Sequence, residues 1–154
     1  MKENDSNETL TIEEALKVGK WVRFKPTGGS MSPLFASGRD VATVAPIGDK
    51  LVRRGDILLY RRSLDDILVL HRVYKVKENG LYMLGDNQTE IEGPIDRDRV
   101  LGIMISMVRK GKNLSMGNFF YRFIARIWLW MRPFRPVVMK VVNGLIRLRK
   151  RNSG

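Results

Sequence analysis

Leu68-Val69-Leu70-His71-Arg72-Val73-Tyr74 alternates with a period of two. Successive side chains of a strand point to opposite faces, so this run sets His71 with Val69 and Val73 on one face and Arg72 with Leu70 and Tyr74 on the other. The apolar stretch extends over residues 67–76 and is rich in β-branched and aromatic side chains, which suit a pleated, half-buried surface. On either side, residues 21–25, 40–45, 56–61, 81–84 and 100–108 carry the same signature, punctuated by Gly38, Gly48, Gly55, Gly80, Gly85 and Gly93. Strands this closely spaced, with almost no helix between them, imply a mainly β, antiparallel fold, a small barrel or a coiled sheet. One short helix precedes them. Thr11-Ile12-Glu13-Glu14 fits a capping box, and the stripe of Ile12, Ala15 and Leu16 predicts a helix over 11–17 that ends near Gly19.

The 154 residues are one domain's worth of chain. Charge is distributed unevenly. All 16 acidic residues precede position 109, as do 16 of the 28 basic ones, so residues 1–108 sum to zero and 12 unopposed cations follow from Arg109 to Arg151. The expected organisation is a leader and short helix over 1–19, a neutral β domain over 20–110, and a basic tail over 111–154. With no cysteine and a single histidine, disulfides, thiolate chemistry and a protein zinc site are excluded or improbable. Met1 to Asn7 is polar and acidic, with neither a signal-peptide core nor an N-terminal membrane anchor.

Three features carry possible chemistry. Gly28-Gly29-Ser30-Met31-Ser32-Pro33 is a bend that presents a hydroxyl, since glycine allows positive φ and proline forbids a regular helix there. His71 titrates near neutrality and suits a general base, although a satisfied, half-buried strand histidine is the plainer alternative. Asp86, in the Gly85-Asp86-Asn87 turn, is either an Asx-turn residue or the acid that orients an imidazole. Lys75 and Lys77 share the face of His71 in a regular strand but stand four and six residues late for a base in its place. Ser32, held extended by Pro33, is a spacer.

In this order, Gly29-Ser30-Met31-Ser32-Pro33, Gly55-Asp56-Ile57-Leu58, His71-Arg72-Val73, Gly85-Asp86-Asn87 and Val100-Leu101-Gly102 resemble the motif boxes of the signal peptidase I superfamily, which includes the LexA-type self-cleaving repressors. The resemblance covers roughly residues 22–109. Most bacterial members place a lysine where this chain has His71, so the pattern is similar to the endoplasmic-reticulum type, which uses Ser and His assisted by an Asp. The resemblance implies Ser30 as nucleophile, His71 as general base, Asp86 as orienting acid with Glu90 and Glu92 as rivals, and Met31 in the substrate cleft. It also places the oxyanion hole at the backbone of Gly28 and Ser30. Many relatives have a serine at the position of Gly28, and loss of one such donor costs on the order of a hundredfold in rate. No metal or cofactor is implied.

In the tail, residues 118–148 mix aromatic and aliphatic side chains with an arginine every few positions. The longest uncharged apolar run, residues 127–131, falls far short of the roughly 20 residues that span a bilayer. Pro133 and Pro136 divide the segment into two amphipathic helices, the second with Lys140, Arg147 and Arg151 opposite Val138, Val141, Val142, Leu145 and Ile146. Such helices suit the interface of an anionic membrane. A pair packed on the protein's own sheet and a polyphosphate-binding surface are the alternatives, and the burial of the aromatics on one face disfavours nucleic acid.

The expected function is a membrane-associated serine endopeptidase of signal-peptidase type that cleaves a peptide or preprotein. The alternative is a catalytically weak or inactive peptide-binding scaffold with the same fold. The expected location is the cytoplasmic face of a membrane, with an external active site as the alternative.

Overall fold

The computed structural model describes residues 10–138, 140, 141 and 144. It is mainly β. Eight antiparallel strands form one sheet: β1 (Val22–Phe24), β2 (Val41–Pro46), β3 (Ile57–Arg61), β4 (Leu68–Lys77), β5 (Gly80–Leu84), β6 (Glu92–Ile95), β7 (Val100–Arg109) and β8 (Lys112–Ser115). The order is β1-β2-β7-β3-β4-β5-β6, with β8 hairpinned onto β7. Among the described residues β1 and β6, the ends of that order, do not pair, so the sheet is open and does not close into a barrel. β8 also carries the sheet past residue 110, where the basic tail was expected to begin.

The leading helix α1 (Ile12–Lys17) forms as its capping box dictates: the Thr11 hydroxyl accepts from Glu14 N–H while the Glu14 carboxylate accepts from Thr11 N–H. Ala15 and Leu16 are its buried residues.

Alternation along β3 sorts the interior into two cores. Ile57 and Leu59 join Leu16, Met31, Phe35, Val44, Leu70 and Met104 on one face. Leu58 and Tyr60 join Val73, Leu81, Met83, Ile95 and Val100 on the other. Gly102 of β7 shows how tightly β2 and β7 are packed, because a Cβ there would lie 2.5 Å from Val44 Cγ1 and 2.7 Å from Ala45 O.

The tail begins with α2 (Phe119–Trp130), capped by the Asn118 side chain, which accepts from Phe120 and Tyr121 N–H. A 3-10 turn over Arg132–Phe134 follows, and residues 135–138 are helical again. Pro133 lies inside the 3-10 turn and Pro136 in the first turn of the next helical segment, where a missing N–H costs nothing. Most of the expected second amphipathic helix, including Val142, Leu145, Ile146, Arg147 and Arg151, lies outside the described residues.

Candidate active site

Strand register decides which side chains can meet His71. His71 pairs with Leu58 and Val69 with Tyr60, so Tyr60 shares the His71 face of β3 and β4. Val73 pairs with Met83, and Met83 with Glu92, which carries the same face across β5 to the edge strand β6. Arg72 pairs with Leu84, so Asp86, two residues further on, falls on the opposite face.

The contacts follow that parity. His71 is 3% exposed, and its Nδ1 lies 3.1 Å from the Tyr60 hydroxyl and 3.4 Å from Glu92 Oε2. The Tyr60 hydroxyl donates a short hydrogen bond to that same carboxylate oxygen. Burial, then Glu92, pushes the phenol pKa up, so Tyr60 stays a donor. With Nδ1 occupied by the carboxylate and the phenol, Nε2 is the ring nitrogen left to exchange a proton. Burial lowers the His71 pKa below its ordinary value against the opposing charge of Glu92, which keeps the ring neutral, the form a general base needs.

Asp86 is not the acid on the ring, which corrects the assignment made from the sequence. Its carboxylate takes a two-point ion pair from Arg72, Nε to Oδ1 at 2.8 Å and Nη2 to Oδ2 at 2.7 Å, and both side chains are fully buried. The Arg72 guanidinium also donates to Gly55 O and to the Tyr121 hydroxyl. Of the two rivals, Glu92 reaches His71; Glu90 lines the same depression but has no hydrogen bond to the ring among the described residues. Lys75 and Lys77 are exposed, past a register shift between Val73 and Lys75 that breaks the regular alternation.

Ser30 lies on the bend the glycines and Pro33 predict, with Gly28 at φ +84° and a Ser32 N–H to Gly29 O bond closing the turn. Met31, 4% exposed, anchors it in the first core. A cleft of about 440 Å³ opens beside it, lined by Phe24, Gly28, Ser30, Met31, Val69 and Leu70. Val69 and Leu70 point to opposite faces, so the cleft runs round the start of β4, where residues 68–71 have no strand partner on the β5 side among the described residues. His71 lies at the end of that free edge and lines a second depression with Arg62, Leu64, Asn87, Glu90 and Glu92.

The Gly85-Asp86-Asn87 turn joins the two openings. Asn87 N–H donates to Ser30 O at 2.7 Å. Gly85 is required by close approach, since a Cβ there would lie 2.8 Å from Ser30 O and 2.5 Å from Gln88 Oε1. Among the described residues no hydrogen bond joins the Ser30 hydroxyl to His71. Tyr60 was missed by sequence reasoning, though its pairing one step along β3 places it where a phenol can reach the ring.

The outer surface of α2 is a second distinct feature. Tyr121, Ala125, Trp128 and Leu129 turn inward, and Arg122 pairs with Asp56. Phe119 is 81% exposed, Trp130 74% and Phe120 73%, with Phe123, Ile124, Ile127, Phe134, Val137 and Val141 also exposed. The helix thus packs on its own sheet with one face and leaves an aromatic face uncovered, with Arg126 and Lys140 exposed nearby. No helix among the described residues is long and apolar enough to cross a membrane. No protein-family model matches the chain, and no curated protein matches it either.

Proposed function

We propose that this chain is a membrane-associated serine endopeptidase of signal-peptidase type, with Ser30 as nucleophile, His71 as general base and Glu92 as the acid behind the ring. The observation that carries this reading is the loop from Gly85 to Ile91. At one end it bonds the carbonyl of Ser30 through Asn87, and at the other it delivers Glu92 to Nδ1 of the only histidine. The ordered resemblance of the sequence boxes to signal peptidases supports the same assignment.

In this mechanism a peptide adds as a strand along the free edge of β4 and fills the cleft beside Met31. Ser30 Oγ attacks the scissile carbonyl carbon while His71 Nε2 takes the hydroxyl proton. Backbone N–H groups at Gly28 and Ser30 face the developing oxyanion. Collapse of the tetrahedral intermediate breaks the C–N bond, and Nε2 returns the proton to the departing amine. Water, deprotonated by the same nitrogen, then hydrolyses the acyl-enzyme. Glu92 offsets the charge of the imidazolium, and Tyr60 holds the carboxylate and the ring together. Hydrogen bonds between nucleophile and base are often long before substrate binds, and the Ser30–His71 bond forms on binding.

The exposed face of α2 binds an anionic lipid surface, supported by its Phe and Trp side chains and by the exposed cations Arg126 and Lys140. The anionic cytoplasmic leaflet suits those cations, so the cytoplasmic face is the proposed side. The missing bond between Ser30 Oγ and His71 favours a second reading, a peptide-binding scaffold without turnover. A fluorophosphonate probe separates the two: labelling of wild type that disappears in Ser30→Ala supports the peptidase, and absence of labelling in both supports the scaffold.

A further inference from the structure

Arg135 is a cation buried to 1% exposure that makes no ion pair among the described residues. Its guanidinium instead donates to backbone carbonyls: Nη1 to Gly85 O at 2.9 Å and to Gln88 O at 2.8 Å, Nη2 to Trp128 O at 3.0 Å and Nε to the same oxygen at 3.3 Å. Burying a charge without a counter-ion is costly, and here each of the three guanidinium nitrogens finds a carbonyl acceptor. Desolvation pulls the Arg135 pKa down from the usual arginine value, with Asp86 opposing the shift.

Two neighbours act on the same loop. Trp128 Nε1 donates to Asp86 O at 2.8 Å, and Arg132 Nε donates to Thr89 O at 2.7 Å. The tail thereby holds the carbonyls of Gly85, Asp86, Gln88 and Thr89. Between them Asn87 bonds Ser30 O, and three residues past Thr89 the chain reaches Glu92. Pro133 and Pro136 flank the sequence that places Arg135 under the loop and fix its backbone.

We propose that Arg135 is a positioning residue: residues 119–135 act as a strap that sets Ser30 and Glu92 relative to His71, so the tail is part of the catalytic unit as well as a membrane anchor. This rests on the peptidase reading for its catalytic consequence, while the strap itself is tested without activity.

The experiment compares full-length wild type with Arg135→Gln, Arg135→Lys and Arg132→Gln. Three quantities are measured: the rate of fluorophosphonate labelling at Ser30 across pH, hydrogen exchange of the amides from residues 85 to 92, and sedimentation with phosphatidylglycerol vesicles. A misplacement of about 1 Å costs on the order of a hundredfold in rate, so labelling of Arg135→Gln should fall at least tenfold. Exchange at Asn87 should accelerate, and vesicle binding should stay unchanged. Arg135→Lys, which keeps one donor for the loop, should recover part of the rate. Arg132 lies nearer the surface, and Arg132→Gln should fold and show a smaller loss; it carries the test if Arg135→Gln does not fold. Wild-type labelling in folded Arg135→Gln, or unaltered exchange at Asn87 in both glutamine variants, would overturn the strap. If wild type itself is not labelled, the peptidase reading fails, and exchange at Asn87 still decides whether the strap exists.

Discussion

Replacing Asp86 with asparagine separates a structural acid from a catalytic one. Arg72 and Asp86 are each 0% exposed and joined by two hydrogen bonds of 2.7 and 2.8 Å, and among the described residues the guanidinium has only Gly55 O and the Tyr121 hydroxyl as other acceptors. Removing one partner of a buried pair costs about 3–5 kcal/mol, because the other charge is left uncompensated. Asparagine keeps the volume and one acceptor oxygen, which places Asp86→Asn near the lower end, about 3 kcal/mol. For a chain of this size each kcal/mol moves Tm by about 2–4 °C, so the expected loss is on the order of 10 °C. Urea unfolding followed by circular dichroism should show a lower midpoint at unchanged slope. Glu92→Gln should behave oppositely. Glu92 sits partly exposed on an edge strand, so stability should change little, whereas labelling of Ser30 should collapse because the imidazolium loses its counter-charge. Wild-type stability in Asp86→Asn together with a lost labelling rate would show that Asp86 serves the ring after all.

Two further outcomes follow from the burial of His71 and of α2. The folded pKa of His71 lies below its unfolded value, so below about pH 6.5 the unfolded state binds the extra proton, and stability should decline as pH falls, by at most about 1.4 kcal/mol per unit; His71→Gln should lack that slope. Asp40 does not confuse the window: burial opposes its charge, but Arg39 and Arg109 hold its carboxyl well below the ordinary value, so its stabilisation is lost only at much lower pH. Labelling of Ser30 should hold its plateau at neutral pH and fall only as the pH drops through the lowered folded pKa of His71, since only the neutral ring accepts a proton. On the outer face of α2, Phe120→Glu with Trp130→Glu should abolish sedimentation with phosphatidylglycerol vesicles while leaving the unfolding midpoint unchanged, as both side chains are mostly exposed; retained vesicle binding would move the membrane contact elsewhere.

Period-two alternation was enough to read β4 and to separate His71 from Arg72, and a four-residue capping box was enough to read α1. β6 and β8 were illegible for different reasons. Gly93 and Pro94 interrupt β6, as an edge strand permits, while β8 is exposed at every residue and so has no apolar alternation to detect. The assignment of the acid went wrong because nearness in sequence to a glycine turn says nothing about face. Once Arg72 is known to pair with Leu84, parity alone sends Asp86 to the arginine; once Met83 pairs with Glu92, parity sends Glu92 to the histidine. A buried arginine on an inward strand face was itself a signal that a carboxylate would be consumed nearby, and it could have been weighed from the sequence. The register could not be, because the shifts within β4–β5 and β5–β6 change which face a residue occupies without leaving a mark on composition. The same limit explains the tail. Its charge pattern is legible as an amphipathic surface, but that Arg135 points inward onto the loop beside Ser30 depends on where α2 docks, a long-range contact that no local period encodes.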